Sequence, residues 1–563
     1  MLRPPVLLAI AVVLGCATLF AVRSRASHSA APTDDALLSQ PADLTFIDRG
    51  DVTTLDLIRL SWMQDIRMAY NLFEGLYRLD PATLTCIPGV ADKIDASPDK
   101  THFTFHIRSN ARWSNGDPVT SADFVFAWRR MLQVPRDYTY LYHYIRGAQA
   151  YEDAYGKDVR TADFSTVGIK APDLATIEVT LAHPLTFFPD LCAFVPFFPS
   201  NEKAMEPWKH VDPATGRTTY DEKFTRPGSL VTNGAYKLTA WTLKVGMRID
   251  ANPYFWDAAS VKTKSVHAIV AEDALVGLRK YDNHEVDWLA EPNGDVSAGL
   301  IAQHRPDIHV CPSNGTYFLS FNCQPFFADK RPNPLADARV RRALSLAIDK
   351  RPIVEKITRC GEPIANDYIP PGIFADYHSP AGLQFDVRAA RRLLTEAGYP
   401  GGRGFPPITY LVNSEGDHRI IAEYITKQWK DQLNLDIDME SVEIAEFRER
   451  LHGKRYAVAR AGWYGDYNDL STFTDKYLSD SDNNDAGWVN KEYDAICHQA
   501  AVEPDVATRN KLIEEAETML LDEAPICPIY IYTNRYVFRD SVRDLYLNAR
   551  NVVLFPPITT GRF

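Results

Sequence analysis

Residues able to do covalent chemistry are dispersed along this 563-residue chain, and none falls into a spacing that a reaction requires. There is no GxSxG elbow, HExxH helix, Walker loop or GxGxxG turn. Gly401-Gly402-Arg403-Gly404 lacks the flanking strand and the final glycine of a nucleotide-binding turn, and reads as a loop after a helix. Asp480-Ser-Asp482-Asn-Asn484 starts like a calcium loop, but its sixth and twelfth positions are Asp485 and Lys491, where such a loop needs Gly and Glu. The 14 histidines are scattered, so neither a metal nor another cofactor is expected. Charged side chains in polar segments carry no reaction signature either. Asp466 sits in Gly465-Asp466-Tyr467-Asn468-Asp469, Arg460 lies shortly before it, and His418 falls in the polar run Asp417-His418-Arg419. Each also has a structural reading: Asp466 as a turn cap, Arg460 in an internal salt bridge, His418 at a solvated helix start.

The elements that must position these groups alternate in type. His102 to Arg108 places Phe103, Phe105 and Ile107 at the period of a half-buried strand. Leu44 to Ile47, Ile177 to Leu181, Gly246 to Asp250, Leu435 to Met439 and Ile529 to Tyr532 read as further strands. Thr120 with Asp123 forms a capping box before a helix. Helices follow over Arg339 to Lys350 behind an Asp337 cap, Asp386 to Tyr399, Ile420 to Leu433 and Arg509 to Leu521. Such alternation indicates α/β layers.

Composition bounds the rest. The length allows several domains, and 45% hydrophobic residues suffices for large cores. Net charge is −12, from 61 basic and 73 acidic side chains, which disfavours nonspecific binding to nucleic acid or anionic lipid. Residues 1–26 read as an export signal: Arg3, an apolar run from Val6 to Val22, then Ser24-Arg25-Ala26 at a cleavage position. Val13-Leu14-Gly15-Cys16 offers a second reading, lipidation at Cys16, and an uncleaved anchor is a third. Residues 27–42 read as a tether. Besides Cys16 there are seven cysteines, so at least one is unpaired, and no CxxC suggests thiolate metal binding.

Met68 to Met131 contains MAYNLFEGLYRLD, then PGVAD, an alternating strand and WSNGDPVTSADFV. Leu230 to Leu238 reads LVTNGAYKL, Asn252 to Asp257 reads NPYFWD, and Asp337 to Lys350 reads DARVRRALSLAIDK. Val458 to Asp469 reads VARAGWYGDYND, and LSDSDNN follows from Leu478. This ordered series resembles the family 5 extracytoplasmic solute-binding proteins, the peptide-binding components of ABC importers, over roughly Leu44 to Val542.

The resemblance implies an α/β fold, a bilobal type II periplasmic-binding-protein clamp with an additional third domain. Lobe I would comprise 43–65, 196–312 and 533–563, the extra domain 66–195, and lobe II 313–532. It implies an exported, periplasmic monomer that takes an oligopeptide and hands it to ABC permease subunits in the inner membrane, without catalysis. From the oligopeptide-type members, Asp466 would hold the ligand's ammonium, and Arg460 and His418 its carboxylate. Gly462 and Tyr464 would present backbone groups, Trp463 would line a side-chain pocket, and Tyr138, or Tyr140 if the alignment shifts, and Asn483 would complete the wall.

Several positions depart from that pattern. Ser61 stands where those members have an acidic residue on an early loop, and Met63 at the next contact. Ile444 replaces a pocket tryptophan and Leu451 an arginine beside His452. Gly315 and Tyr464 occupy the places of a cysteine pair. The side-chain pockets are therefore expected to differ, and a non-peptide solute or metal chelate on the same scaffold, or an anchored peptide sensor or chaperone, are the other readings.

Overall fold

The computed structural model describes residues 33–561, leaving out 272 and 375. The expected signal and the lipidation motif at Cys16 lie outside the described residues. Among these, no helix is long and apolar enough to cross a membrane.

One ten-stranded sheet runs through the molecule. Its strands are β1 (Leu44–Ile47), β2 (Tyr236–Thr242), β3 (Gly246–Ala251), β4 (Ser265–Ile269), β5 (Trp288–Ala290), β6 (Ile308–Phe321), β7 (Thr409–Asn413), β8 (Asp438–Val442), β9 (Val458–Tyr464) and β10 (Ile526–Phe538). Their spatial order is β2-β3-β4-β1-β5-β10-β6-β9-β7-β8. Parallel pairs (β1 with β4 and β5, β7 with β8 and β9) are joined through helices, the arrangement that alternating strand and helix patterns demand.

β6 and β10 are far longer than their neighbours, 14 and 13 residues, and tie the two halves of the sheet together. Their antiparallel register runs Ile308↔Val537 to Pro312↔Thr533, slips, and resumes at Thr316↔Ile531. A slip of this kind bends and twists a strand pair locally. The sequence reading caught only the middle of β10, because Tyr530 to Asn534 breaks the alternation expected of a strand with one wet face. It also put β8 three residues early, at Leu435. Asn434, whose φ is +57°, ends the preceding helix in a left-handed cap, and the chain needs Leu435 to Ile437 to re-enter the sheet.

Period-2 alternation distributes the core of the second half. Tyr317, Leu319 and Phe321 of β6 enter the layer that packs Trp429 and Ile425, while Phe318 enters the opposite layer with Phe473 and Tyr493. In the first half a single cluster contains Leu44, Trp288 and Phe555 together with Phe105 and Trp128 of the segment between β1 and β2. That segment carries a four-stranded antiparallel sheet and the helix α2 (Ser121–Gln133), opened by the Thr120/Asp123 capping box. The other helices that frame the site are α1 (Met63–Leu72), α3 (Gly294–Ala302), α4 (His418–Leu433) and α5 (Ile444–His452). All seven cysteines among the described residues are free thiols.

Candidate functional site

β9 carries the residues on which the sequence reading converges. β6 pairs with its whole length, from Phe321↔Val458 to Gly315↔Tyr464, whereas β7 reaches only Tyr410↔Val458 and Leu411↔Ala459. From Arg460 to Tyr464 the second edge of β9 has no strand partner among the described residues. An edge of unpaired N–H and C=O groups is a template for another extended chain.

Alternation puts Arg460, Gly462 and Tyr464 on one face and turns Ala461 and Trp463 toward the core cluster of Phe473 and Tyr493. Glycine is required twice here. A Cβ on Gly462 would collide with the Tyr532 hydroxyl, and one on Gly315 would lie 2.6 Å from Cδ1 of Tyr464. Tyr464 therefore fills the space that the missing Gly315 side chain leaves. It stacks on Tyr532 with ring centroids 4.6 Å apart, while half of it stays exposed.

Asp466 follows at the end of β9. Its Oδ2 accepts a hydrogen bond from the Tyr140 hydroxyl on the opposite wall, and its N–H donates to Thr472 Oγ1 at 3.0 Å. Burial pushes its carboxyl up to about 6, against the Tyr140 hydrogen bond and the Lys476 charge. It has no ion pair among the described residues, because the cations near it are engaged elsewhere. Lys476 Nζ lies 3.3 Å from Asp485, and Arg550 Nη1 lies 3.2 Å from Asp190.

Arg460 donates from Nε to Asn413 Oδ1 at 2.6 Å and lies over the Phe447 ring at 4.6 Å. No carboxylate among the described residues is within ion-pair distance, so the internal salt bridge read as one alternative is absent there. His418 opens α4 with its ring stacked 5.6 Å from Tyr317. Burial, helped by the Arg460 charge, pushes its imidazole down to about 3. The expected basic group is therefore neutral at pH 7, and the solvated helix start is also corrected, since its Nδ1 is buried without a hydrogen-bond partner. The physical reason is that burial disfavours the charged imidazole, and the Arg460 charge adds to that penalty.

Trp463 donates from Nε1 to Thr472 O at 2.7 Å and carries Lys476 over its ring at 4.5 Å. Asn483 supports that lysine through its carbonyl at 2.5 Å. Tyr138 stands edge-on to Phe194 at 5.1 Å and feels the Asp466 charge, but the hydroxyl that touches Asp466 is that of Tyr140, the shifted alternative. Ser61 and Met63 flank Trp62 at the start of α1, and neither makes a hydrogen bond to β9 among the described residues. Trp62 itself is 40% exposed and meets Arg448 of α5 at 5.2 Å.

Sequence reasoning missed the rest of the bridge between the two walls. Tyr144 donates to Asp475 at 2.9 Å, its hydroxyl is 3.0 Å from that of Tyr467, and Phe187 stacks on Tyr467 at 4.6 Å. The signal was the run Tyr138-Thr-Tyr140-Leu-Tyr142-His-Tyr144, more tyrosines than one strand face or core helix needs. Among the described residues no group of three or more His, Cys, Asp or Glu is arranged to hold a metal ion.

Known proteins share this architecture. Residues 85–485 match the family model described as bacterial extracellular solute-binding proteins, family 5 middle. The oligopeptide-binding protein OppA of Bacillus subtilis is 31% identical over 497 residues, 86% of each chain. The Escherichia coli murein tripeptide binding protein MppA superposes with a TM-score of 0.77 at 28% identity, covering 93% of this chain and 99% of that one. Listeria monocytogenes OppA bound to peptide gives 0.75 at 25% identity, covering 93% and 100%. The type II periplasmic-binding-protein fold, the ordered motifs and the family match over most of the sequence lead to one assignment: this chain belongs to the family 5 bacterial extracellular solute-binding proteins.

Proposed function

We propose that the protein captures short peptides in extended form and delivers them to the permease of an ABC importer. The observation that carries this reading is the unpaired edge of β9 from Arg460 to Tyr464, with the Arg460 guanidinium at one end and the Asp466 carboxylate just beyond the other, neither with an ion pair among the described residues. The ligand's ammonium meets Asp466, its backbone pairs with β9 irrespective of side chains, and its carboxylate meets Arg460 and neutral His418. Fully extended, the stretch from Arg460 to Asp466 spans about 20 Å, which with the inward reach of both side chains suits roughly three to five residues.

Binding and release need the walls to part. The register slip in β6 and β10 is the natural hinge, with boundaries near 312 and 532, and the Tyr140, Tyr144 and Tyr467 contacts are those that must break. Ligand stabilises the closed arrangement by bridging the walls, and the closed form is the one the permease recognises. No covalent step is involved. We place the protein outside the cytoplasmic membrane, in the periplasm, as a monomer.

Titration calorimetry of tri-, tetra- and pentapeptides against free amino acids tests the reading; absence of heat with every peptide overturns it. One observation favours a compact non-peptide solute instead. A cavity of about 490 Å³ is lined by His418 and Tyr464 but not by Asp466. Native mass spectrometry of protein purified without refolding separates the two by the mass of retained cargo.

A further inference from the structure

Tyr464, at the end of the β9 face that also carries Arg460 and Gly462, lines the cavity of about 490 Å³. Asp48, Arg49 and Glu291 line it together with Arg535, whose carbonyl accepts from the Glu291 N–H at 2.9 Å, and Glu362 and Asp417 complete the charged lining. Its charges are poorly satisfied by one another. Glu291 Oε2 is 3.9 Å from Arg49 and 3.6 Å from Arg67, and it has no hydrogen bond although the atom is buried. Arg535 Nη1 is 3.8 Å from Glu362, and its buried Nε is likewise without a partner. Native interiors leave few such atoms, and a guest that completes them is the usual explanation.

Counting pairs identifies what is left over. Asp48 is closed off by Arg67 at 2.8 Å, Glu291 faces Arg49, Glu362 faces Arg535, and Asp295 at the rim faces Arg359 at 3.3 Å. Asp417 has neither an ion pair nor a side-chain hydrogen bond among the described residues. It is the N-cap residue of α4, where an aspartate ordinarily accepts from the first helical N–H groups, yet its side chain does not cap. It points instead across the cavity, so that a Cβ on Gly294 at the start of α3 would be 3.8 Å from its Oδ2. With Arg460 assigned to the ligand's carboxylate, the remaining walls carry one carboxylate too many. Glu291, in left-handed backbone with φ +52°, is held in a strained conformation in the same lining.

We propose that this cavity is a specificity pocket for a cationic side chain of the ligand, an ammonium or guanidinium, anchored by Asp417 and completed by Glu291. The proposal rests on the peptide reading above and adds to it a preference for basic residues. A chain paired to β9 sends alternate side chains to this face, so the preference should appear at positions of one parity. Tyr464, Tyr530 and Tyr532 line the same space and suit the stem and head of a long amphipathic side chain.

The test is calorimetry with an alanine tetrapeptide in which each position in turn is lysine, norleucine or glutamate. We expect lysine to bind about tenfold tighter than norleucine at positions of one parity only. The preference should shrink to within about twofold in Asp417→Asn, with the all-alanine peptide binding as before, and should weaken in Glu291→Gln. Affinity for the all-alanine peptide serves as the folding control for both variants. Equal affinity for lysine and norleucine throughout, a preference for glutamate, or a lysine preference that survives Asp417→Asn overturns the pocket and leaves the peptide reading standing. Absence of binding by every peptide overturns both.

Discussion

The Tyr140 hydroxyl reaches across the cleft to donate to Oδ2 of Asp466. A neutral donor thus occupies half of a carboxylate whose other oxygen accepts no hydrogen bond among the described residues. A phenol can cross the gap without ion pairing, so the acid keeps an unneutralised charge for a ligand ammonium. The same contact explains why the walls meet without closing the site.

Asp466→Asn should separate free from blocked amino ends. Affinity for peptides with a free amino terminus is expected to fall by about 100-fold, roughly 2.7 kcal/mol. N-acetylated peptides, already weak, should lose less than about threefold. Calorimetry on matched pairs measures both; equal losses would show that Asp466 only shapes the turn.

Binding should also fade in acid. Burial holds the Asp466 carboxyl at about 6 when no ligand is present, and an ammonium needs the ionised form. Affinity is therefore expected to be constant above about pH 7 and to fall as pH drops through 6, tending toward tenfold per unit below it. Tyr140→Phe removes a hydrogen bond that favours the ionised form and should move the midpoint upward. A midpoint near 4 in both proteins would mean that the acid is not buried in solution.

Arg460→Ala should act according to ligand length. Its guanidinium is fixed by Asn413 and Phe447 and cannot follow a carboxylate that falls elsewhere. Affinity is expected to drop about 10- to 100-fold for one length between three and five residues and by less than about threefold for the others. A uniform loss would point to a structural role.

How much of this was legible in the sequence follows from what each residue depends on. Caps and short amphipathic elements depend on near neighbours, and Thr120 with Asp123, Asp337 and Asp386 all cap where the pattern put them. Resemblance located β9 and Asp466 because the GWYGD segment keeps its spacing. His418 was misjudged because its protonation depends on Arg460 and Tyr317, which converge on it only through the sheet. Asp417 and Glu291 line one cavity although they are far apart in the chain, and local sequence carries no sign of that. The Tyr464 ring over Gly315 was half legible: both departures were visible, but not that one fills the other's space.

That complementarity extends to Gly462 and Tyr532. A methyl group at 462 has no room beside the Tyr532 hydroxyl, so Gly462→Ala should cost about 1–3 kcal/mol of stability and weaken peptides of every sequence. Tyr532→Phe removes the colliding oxygen. The double variant should recover at least half of both losses, measured by thermal unfolding and calorimetry. Additive losses would place the strain elsewhere.

Asp475 gives a test in which stability and pH have a fixed sign. Burial pushes its carboxyl up to about 7, opposed by the Tyr144 hydrogen bond, raised further by Asp469 and lowered by Arg509. The folded protein therefore disfavours the charged form. The resulting penalty is fully present above about pH 7 and is relieved as pH falls toward the ordinary aspartate value of about 4. Asp475→Asn keeps an acceptor for Tyr144 and removes the charge, so it should stabilise the unliganded protein at pH 8 by an amount on the order of 1–3 kcal/mol and by almost nothing at pH 4. Because Tyr144 and Asp475 lie on opposite walls, the same variant should hold the walls together more firmly at pH 8. Ligand exchange should then slow while equilibrium affinity changes little, because a stiffer latch slows opening for departure and for entry alike. Stopped-flow displacement at the two pH values reads this directly. Faster exchange at pH 8, or a stability gain equally large at pH 4, would show that Asp475 is not the charged partner of Tyr144 in the latch.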